Sequence, residues 1–203
     1  MSIITFPESL KVAKVTWAQQ RNDIEFRSVF GAQAVEGSGP LWSVTLEATP
    51  GREADSGGWQ ALGMQLRGRT NQLELWNHAR PVPRGTMRGT MTFNADAAQG
   101  ATTLSIVASG QASKTLLQGD LLGIGINLTQ QVVMVVEGAT SDGSGIISVT
   151  VEPPLRNAFS ASEVITWNKP KALFRRVNSR FGWDTHASVT EGFTLDLLED
   201  WRI

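Results

Sequence analysis

The sequence predicts a mainly β protein: a β-sandwich with one α-helix, and a second small antiparallel β-barrel-like domain inserted into it. Three observations predict this. Short segments in which apolar and polar residues alternate recur along the chain, which is the period of a strand with one buried face. Only the segment between Pro50 and Gly68 carries a helical period. After residue 88 comes a run of short strands separated by turn signals. Near Lys171 the alternating style of the first part returns. The expected domains are therefore residues 1–88 plus 171–203 for the sandwich with its helix, and 89–170 for the insert.

Residues 2–6 and 11–17 are β-like, and in the second run Val15 and Trp17 oppose Lys14 and Thr16. Residues 19–23 are polar and turn-like, and 24–30 alternate again. Residues 14–35 are thus expected to form a long hairpin, with 33–35 continuing its second arm. Gly37-Ser38-Gly39-Pro40 is a break. Residues 41–48 are the cleanest strand, with Trp42, Val44 and Leu46 interrupted by Ser43, Thr45 and Glu47. In the helix, Asp55 or Ser56 is the expected N-cap, and Trp59, Leu62, Gly63 and Leu66 form one apolar stripe. Gly68 stands where a left-handed C-cap is expected, and the small residue at 63 would let the helix lie close against a sheet. Residues 71–76 read as a strand with Leu73 and Leu75 on one face.

Residues 75–91 hold His78, Pro81, Pro83, Arg80, Arg84, Arg88 and two copies of Arg-Gly-Thr-Met. The prolines exclude a helix, so the arginines share no helix face. The stretch is expected to be a stiff crossover whose prolines set the direction of the inserted domain. Its arginines would pair with a neighbouring subunit or stay solvated, with pairing favoured. In the insert, strands are expected at 90–94, 103–108, 121–126, 130–137, 146–151 and 164–167. Ser141-Asp142-Gly143-Ser144-Gly145 is the expected hairpin turn, with positive φ at Asp-Gly. Residues 172–177, 185–190 and 192–198 are expected to close the first domain.

Candidate chemistry is sparse. Asp184, His186 and Ser188 suggest a hydrolase triad, but i, i+2 and i+4 on one strand stand too far apart for mutual hydrogen bonds. His78 and His186 lack zinc-site spacing, and a metal held by His78 with Asp96 has no motif behind it; packing of His78 on Trp76 is expected instead. Residues 119–125 and 138–145 are glycine-rich but lack the lysine and following helix of a phosphate loop. Asp120, Asp142 and Glu163 form no paired-carboxylate motif. No catalytic, cofactor-binding or metal-binding residue is expected, and no cofactor.

Charge and composition bound the rest. With 18 Lys and Arg against 19 Asp and Glu, the chain lacks the basic excess of a nucleic-acid binder. The absence of cysteine excludes disulfides, thiolate metal sites and Cys nucleophiles. No apolar run reaches the length needed to span a bilayer as a helix, and no N-terminal signal is visible. A soluble protein made in the cytoplasm is expected.

The order of features resembles a known family. It runs from the Trp-rich alternating strand through a Trp-x-x-Leu helix ending in Leu66-Arg67-Gly68 to a strand ending in Trp76. Arg80-Pro81-x-Pro83-Arg84-Gly85 follows, then a barrel-like unit with Leu117-x-Gly119-Asp120 and Glu152-Pro153-Pro154-Leu155-Arg156, and finally Phe193-x-Leu195-x-Leu197-x-Glu199. This plan is similar to that of distal tail proteins of tailed bacteriophages and prophages, over most of residues 41–203. The resemblance implies a structural virion subunit, not an enzyme. It would assemble with itself in a ring, a hexamer, that links the tail tube to hub or receptor-binding components at the tail tip or baseplate. It implies that the 14–35 hairpin joins neighbouring copies and that 89–170 projects outward. It implies a place in the virion tail after synthesis in the host cytoplasm, with no membrane contact and none with nucleic acid beyond the tail lumen. An alternative reading is a carbohydrate- or receptor-binding β-module of the tail tip, using Phe159 and Trp167. A tail-associated hydrolase rests on Asp184 and His186 alone.

Overall fold

The computed structural model describes residues 2–37, 39–187 and 189–201, without the side chains of residues 53–55. The fold is mainly β with one α-helix, and it contains a closed six-stranded barrel beside an open six-stranded sheet.

The sheet runs Ile3–Thr5, Gln72–Trp76, Lys171–Arg176, Thr194–Glu199, Leu41–Glu47, Lys14–Gln20. Its first pair is parallel and the others are antiparallel. Register decides which residues share a face. Leu73 lies opposite Phe174, Leu75 opposite Ala172, Leu197 opposite Val44 and Leu195 opposite Leu46. Residues directly opposite in an antiparallel pair point the same way. All of these side chains therefore line one face, and all are buried. The reverse face carries Thr16, Thr45 and Asp196 and is solvated, as antiparallel sheets allow.

Two bodies cover the apolar face. One is the helix Glu53–Gln65, which buries Trp59, Leu62 and Leu66 as its spacing predicts. It starts earlier than expected: its N-cap is Arg52, without a side-chain cap bond, and not Asp55 or Ser56. Ser56 instead bonds Thr190 through its hydroxyl at 3.2 Å. Gly68 is left-handed as expected, at φ 65°, and Arg67 before it is left-handed too, at φ 47°. Gly63 faces an aromatic ring and not a sheet, because a Cβ there would lie 2.1 Å from Phe181.

The second cover is the barrel. Its strands close in the order Leu121–Ile124, Gln131–Glu137, Ile146–Glu152, Thr103–Ala108, Met91–Phe93, Val164–Thr166. Closure leaves no unpaired edge. Phe93, Leu104, Ile106, Val133, Val149 and their neighbours fill the interior. Leu121, Val132 and Met134, on the outside of the barrel, join the core of the sheet. The Trp42 indole N–H donates to the Val132 carbonyl at 2.8 Å across this seam. The turn at residues 141–145 forms as expected, but positive φ falls at Gly145 and not at Asp142-Gly143.

Several expectations need correction. Lys14–Gln20 is not one arm of a hairpin closed at 19–23; it is the sheet edge, paired with Leu41–Glu47. The hairpin beyond it is Ile24–Ser28 with Gly31–Val35. The segment expected as a closing strand at 185–190 is instead two short strands in a separate ribbon with Gly51–Arg52. The pairing of the crossover arginines was expected with a neighbouring subunit; within one copy they bond main chain. Arg80 and Arg84 donate to the carbonyls of Gly119 and Gln118, and Arg88 to those of Pro83, Gly85 and Met87. The prolines are not alone in directing the barrel, because the seam and the crossover are fastened by side chains.

The crossover is fastened chiefly by Asp120, which is buried. Its Oδ1 accepts the Arg84 N–H at 2.7 Å, and its Oδ2 accepts those of Gly85 at 3.0 Å and Leu117 at 2.8 Å. Both oxygens are engaged, so an amide there would aim an NH₂ group at a backbone N–H. Asp120→Asn is expected to destabilise the protein by about 3 kcal/mol, the range for a lost charged bond plus an unmatched donor. Pro81→Gly with Pro83→Gly should cost only about 1–2 kcal/mol through chain entropy. Urea unfolding of both variants checks the order.

The seam is fastened by Arg156 and Glu199. Glu199 follows Leu195 and Leu197 on the apolar face, and its side chain is only 1% exposed. Its Oε2 accepts from the Arg156 guanidinium and from the Trp42 N–H at 2.9 Å. Burial pushes this carboxyl above its ordinary value more strongly than Arg156 and the Trp42 N–H lower it. A raised folded value means that the native state holds the proton more tightly than the unfolded chain. The ionised group therefore weighs against folding as pH rises through that window, and not below it. Arg156→Met should cost about 3–5 kcal/mol at neutral pH by leaving the charge uncompensated. That loss should shrink as pH falls and Glu199 takes up a proton. Urea unfolding across a descending pH series checks it.

Candidate functional site

Among the described residues the hairpin Ile24–Val35 is exposed at every position. The two strands of the sheet edge, Lys14–Gln20 and Leu41–Glu47, continue outward into it, so residues 14–47 form one long two-stranded arm. The arm is interrupted at 21–23 on one strand and at 36–37 and 39–40 on the other. There Arg21 pairs with Asp23 and Glu36, and Gly37 passes so close to the Asn22 carbonyl that a Cβ would lie 2.0 Å from it. Only glycine permits that crossing.

Every residue of both hairpin strands is exposed. Ile24 lies opposite Val35 and Phe26 opposite Gln33, so Ile24, Phe26 and Val35 share one face. Glu25, Arg27, Ala32 and Ala34 share the other, with Arg27 donating to Glu25 at 2.8 Å. The ribbon is therefore amphipathic, yet neither face touches the rest of the chain's core.

Its tip is unusual chemically. Ser28 pairs with Gly31, leaving Val29-Phe30 as a two-residue turn. Such turns favour Asn-Gly or Gly-x, because their twist requires positive φ. Here neither residue has positive φ, and the turn is held by Ser28 Oγ, which donates to the Gly31 carbonyl and accepts from Phe30 N–H. Val29 is 95% and Phe30 100% exposed. Two large apolar residues thus stand in water at a position where folding alone favours small polar ones. A contiguous apolar surface of this kind marks an interaction site.

The residues considered for chemistry lie elsewhere. His186 is exposed, with Nε2 3.7 Å from Glu191 Oε1; Asp184 accepts the Glu191 N–H through its carbonyl, and Ser188 lies outside the described residues. His78 stacks on Trp76 with ring centroids 4.1 Å apart and meets Phe6 edge-on. Burial and the nearby Lys169 hold its imidazole below the ordinary value. Asp96 accepts the Ala161 N–H at the barrel. Among the described residues no group of three or more His, Cys, Asp or Glu side chains is placed to hold a metal ion. Phe159 is buried and stacked on Phe93, and Trp167 lies under the Arg88 guanidinium with its N–H given to the Gly89 carbonyl. Neither offers the open aromatic platform expected of a glycan site.

Sequence reasoning expected a hairpin over 14–35 but set its turn at 19–23, and so missed the apolar tip at Val29-Phe30. The signal was present: Val-Phe flanked by Ser and Gly, in place of a turn dipeptide. No described helix is long and apolar enough to cross a membrane. No protein-family model matches the chain, and the search of curated proteins found no match.

Because the tip supports nothing within the monomer, replacing it should not alter folding. Val29→Ser with Phe30→Ser is expected to change the unfolding free energy by less than about 0.5 kcal/mol. Urea titration of the variant beside the parent, at a concentration low enough for both to be monomeric, measures this.

Proposed function

We propose that the protein is a structural subunit that assembles with further copies of itself through the 24–35 arm, as part of a bacteriophage tail-tip or baseplate ring. The observation that carries the reading is the amphipathic arm with its Val29-Phe30 tip fully in water. A surface that stabilises nothing in one copy gains its value by being covered in an assembly. An arm on one side of a body makes a head-to-tail contact, which closes into a ring when the rotation permits. The order of sequence features, which resembles that of distal tail proteins, supports the tail-protein part of this reading. In that role the barrel, rigidly seamed to the sheet, would present partners outward. Tail tube, hub and receptor-binding proteins would be its neighbours.

The purified chain at micromolar concentration is expected to have a mass several times 22.0 kDa. Val29→Ser with Phe30→Ser should shift it to the monomer with its fold retained. Native mass spectrometry reads both. A parent chain that stays monomeric, and is absent from tail particles, overturns the proposal.

A further inference from the structure

The arm has a fixed polarity on the body that carries it. It leaves the ladder of Lys14–Gln20 with Leu41–Glu47 at the pair Gln20 and Leu41. The ladder holds seven residue pairs and ends, on the other side, at Lys14 and Glu47. Seven pairs span roughly 20 Å.

A groove of about 490 Å³ opens at that other end. The chain itself puts it there, since Ser9 and Lys11 shortly precede Lys14, and Ala48 and Thr49 follow Glu47. The Ala48 N–H donates to the Phe193 carbonyl at 2.9 Å, which brings in the start of the next strand. Phe193 stacks on Trp59 of the helix, with ring centroids 6.3 Å apart and planes 10° from parallel. Ala48, Trp59 and Phe193 are buried, whereas Ser9, Lys11 and Thr49 are exposed. An aromatic floor thus lies under a polar rim, the makeup of a pocket that seats one apolar anchor of a partner.

We infer that this groove is the acceptor of the arm, and that Phe30 of one copy seats in the groove of the next. The inference rests on the reading of the arm as the assembly contact and adds where that contact lands. The occupant is a second copy because a chain's own tip runs out beyond the Gln20 and Leu41 end, away from its groove, and cannot turn back while the ladder holds. Knob and groove at opposite ends of one ladder give a head-to-tail contact; at the same end they would give a two-fold dimer that stops at two copies. Charge permits the fit. Residues 28–35 carry no charged side chain, and Lys11 is the single charge lining the groove. Its long stem lets the ammonium stay in water at the rim, so closing the contact buries no charge. The area is also adequate: Phe26 and Phe30 would cover about 150–250 Å² each, roughly half of the about 800 Å² that one partner gives to a standard interface. Ile24, Val29 and Val35 add to it.

The chain has no cysteine, so introduced cysteines report position alone. Val29→Cys leaves Phe30 in place. Mixed with Thr49→Cys and treated with a short bis-maleimide, it should give a mixed covalent dimer roughly tenfold more abundant than Val29→Cys with Ile126→Cys, an exposed apolar position on the barrel. Intact mass identifies the mixed species. Thr49→Arg adds a cation at the rim and should weaken assembly roughly tenfold or more, as read by native mass spectrometry. Its urea stability, measured on the monomer, should match the parent's, since Thr49 is exposed. Parent-like assembly of Thr49→Arg, or a mixed dimer no more abundant with Thr49→Cys than with Ile126→Cys, overturns the groove as acceptor. The arm reading survives that result if Val29→Ser with Phe30→Ser still dissociates the assembly. A parent chain that stays monomeric overturns both.

Discussion

The ion pair between Arg156 and Glu199 is the contact on which the arrangement of the molecule depends. Glu199 stands on the apolar face of the sheet, where an ionised carboxylate would be expelled if it were alone. The barrel supplies the cation that offsets its charge, beside the Trp42 N–H of the sheet itself. The same loop of the barrel is tied to its wall, because Gln131 accepts the Arg156 N–H at 2.9 Å and donates to the Pro154 carbonyl at 2.8 Å. Trp201 covers the guanidinium. The pair adds little net stability relative to apolar residues of the same shape, but it tolerates only one docking of barrel on sheet. Apolar contacts between Leu121, Val132 and the sheet supply the attraction, and the pair supplies the register.

That division explains which parts of the fold were legible in the sequence. Alternation reports a face, so residues 41–48, 71–76 and 192–198 were readable as half-buried strands. It does not report a neighbour. Hence Lys14–Gln20 was paired in expectation with the following segment, whereas its partner is Leu41–Glu47, across the whole excursion of the arm. The barrel was legible because six short apolar runs with intervening turns have few ways to bury themselves. Its contact with the sheet was not, because outward residues such as Leu121 and Val132 look like any other members of an apolar run.

Polar residues at inward positions were the signal left unread. The alternation Leu195, Leu197 runs on to Glu199, and Ala172, Phe174 runs on to Arg176. Each continuation places a charge on the apolar face. A charge in such a place requires a partner, and for Glu199 the partner comes from a different body 43 residues away in sequence. Asp120 belongs to the same class. It lies in a Gly-Asp turn that resembles any surface loop, yet it gathers three backbone N–H groups, two from the crossover and one from its own turn. Spacing rules search for carboxylates beside other side chains, and so they miss a carboxylate whose partners are all main chain.

The body and the arm obey opposite rules. In the body, side chains that break the apolar pattern are matched by a partner, a carbonyl or a ring. On the arm, apolar side chains that break the rule for exposed turns have no partner at all. Local chemistry and global fold usually agree in a natural sequence, and disagreement concentrates where function constrains it. Gly37 shows that the arm is nonetheless built to a definite geometry, since its crossing with Asn22 admits no side chain. A shaped ribbon with an exposed apolar face and tip, rooted in the edge of a rigid sheet, is suited to holding a second body at a fixed angle. A ring requires that of each subunit: small errors of angle accumulate around a closed assembly, so the contact must be both adhesive and directed. In the proposed ring the tip would provide the adhesion. The two ladders, residues 14–20 against 41–47 and, beyond the interruption, 24–28 against 31–35, would provide the direction.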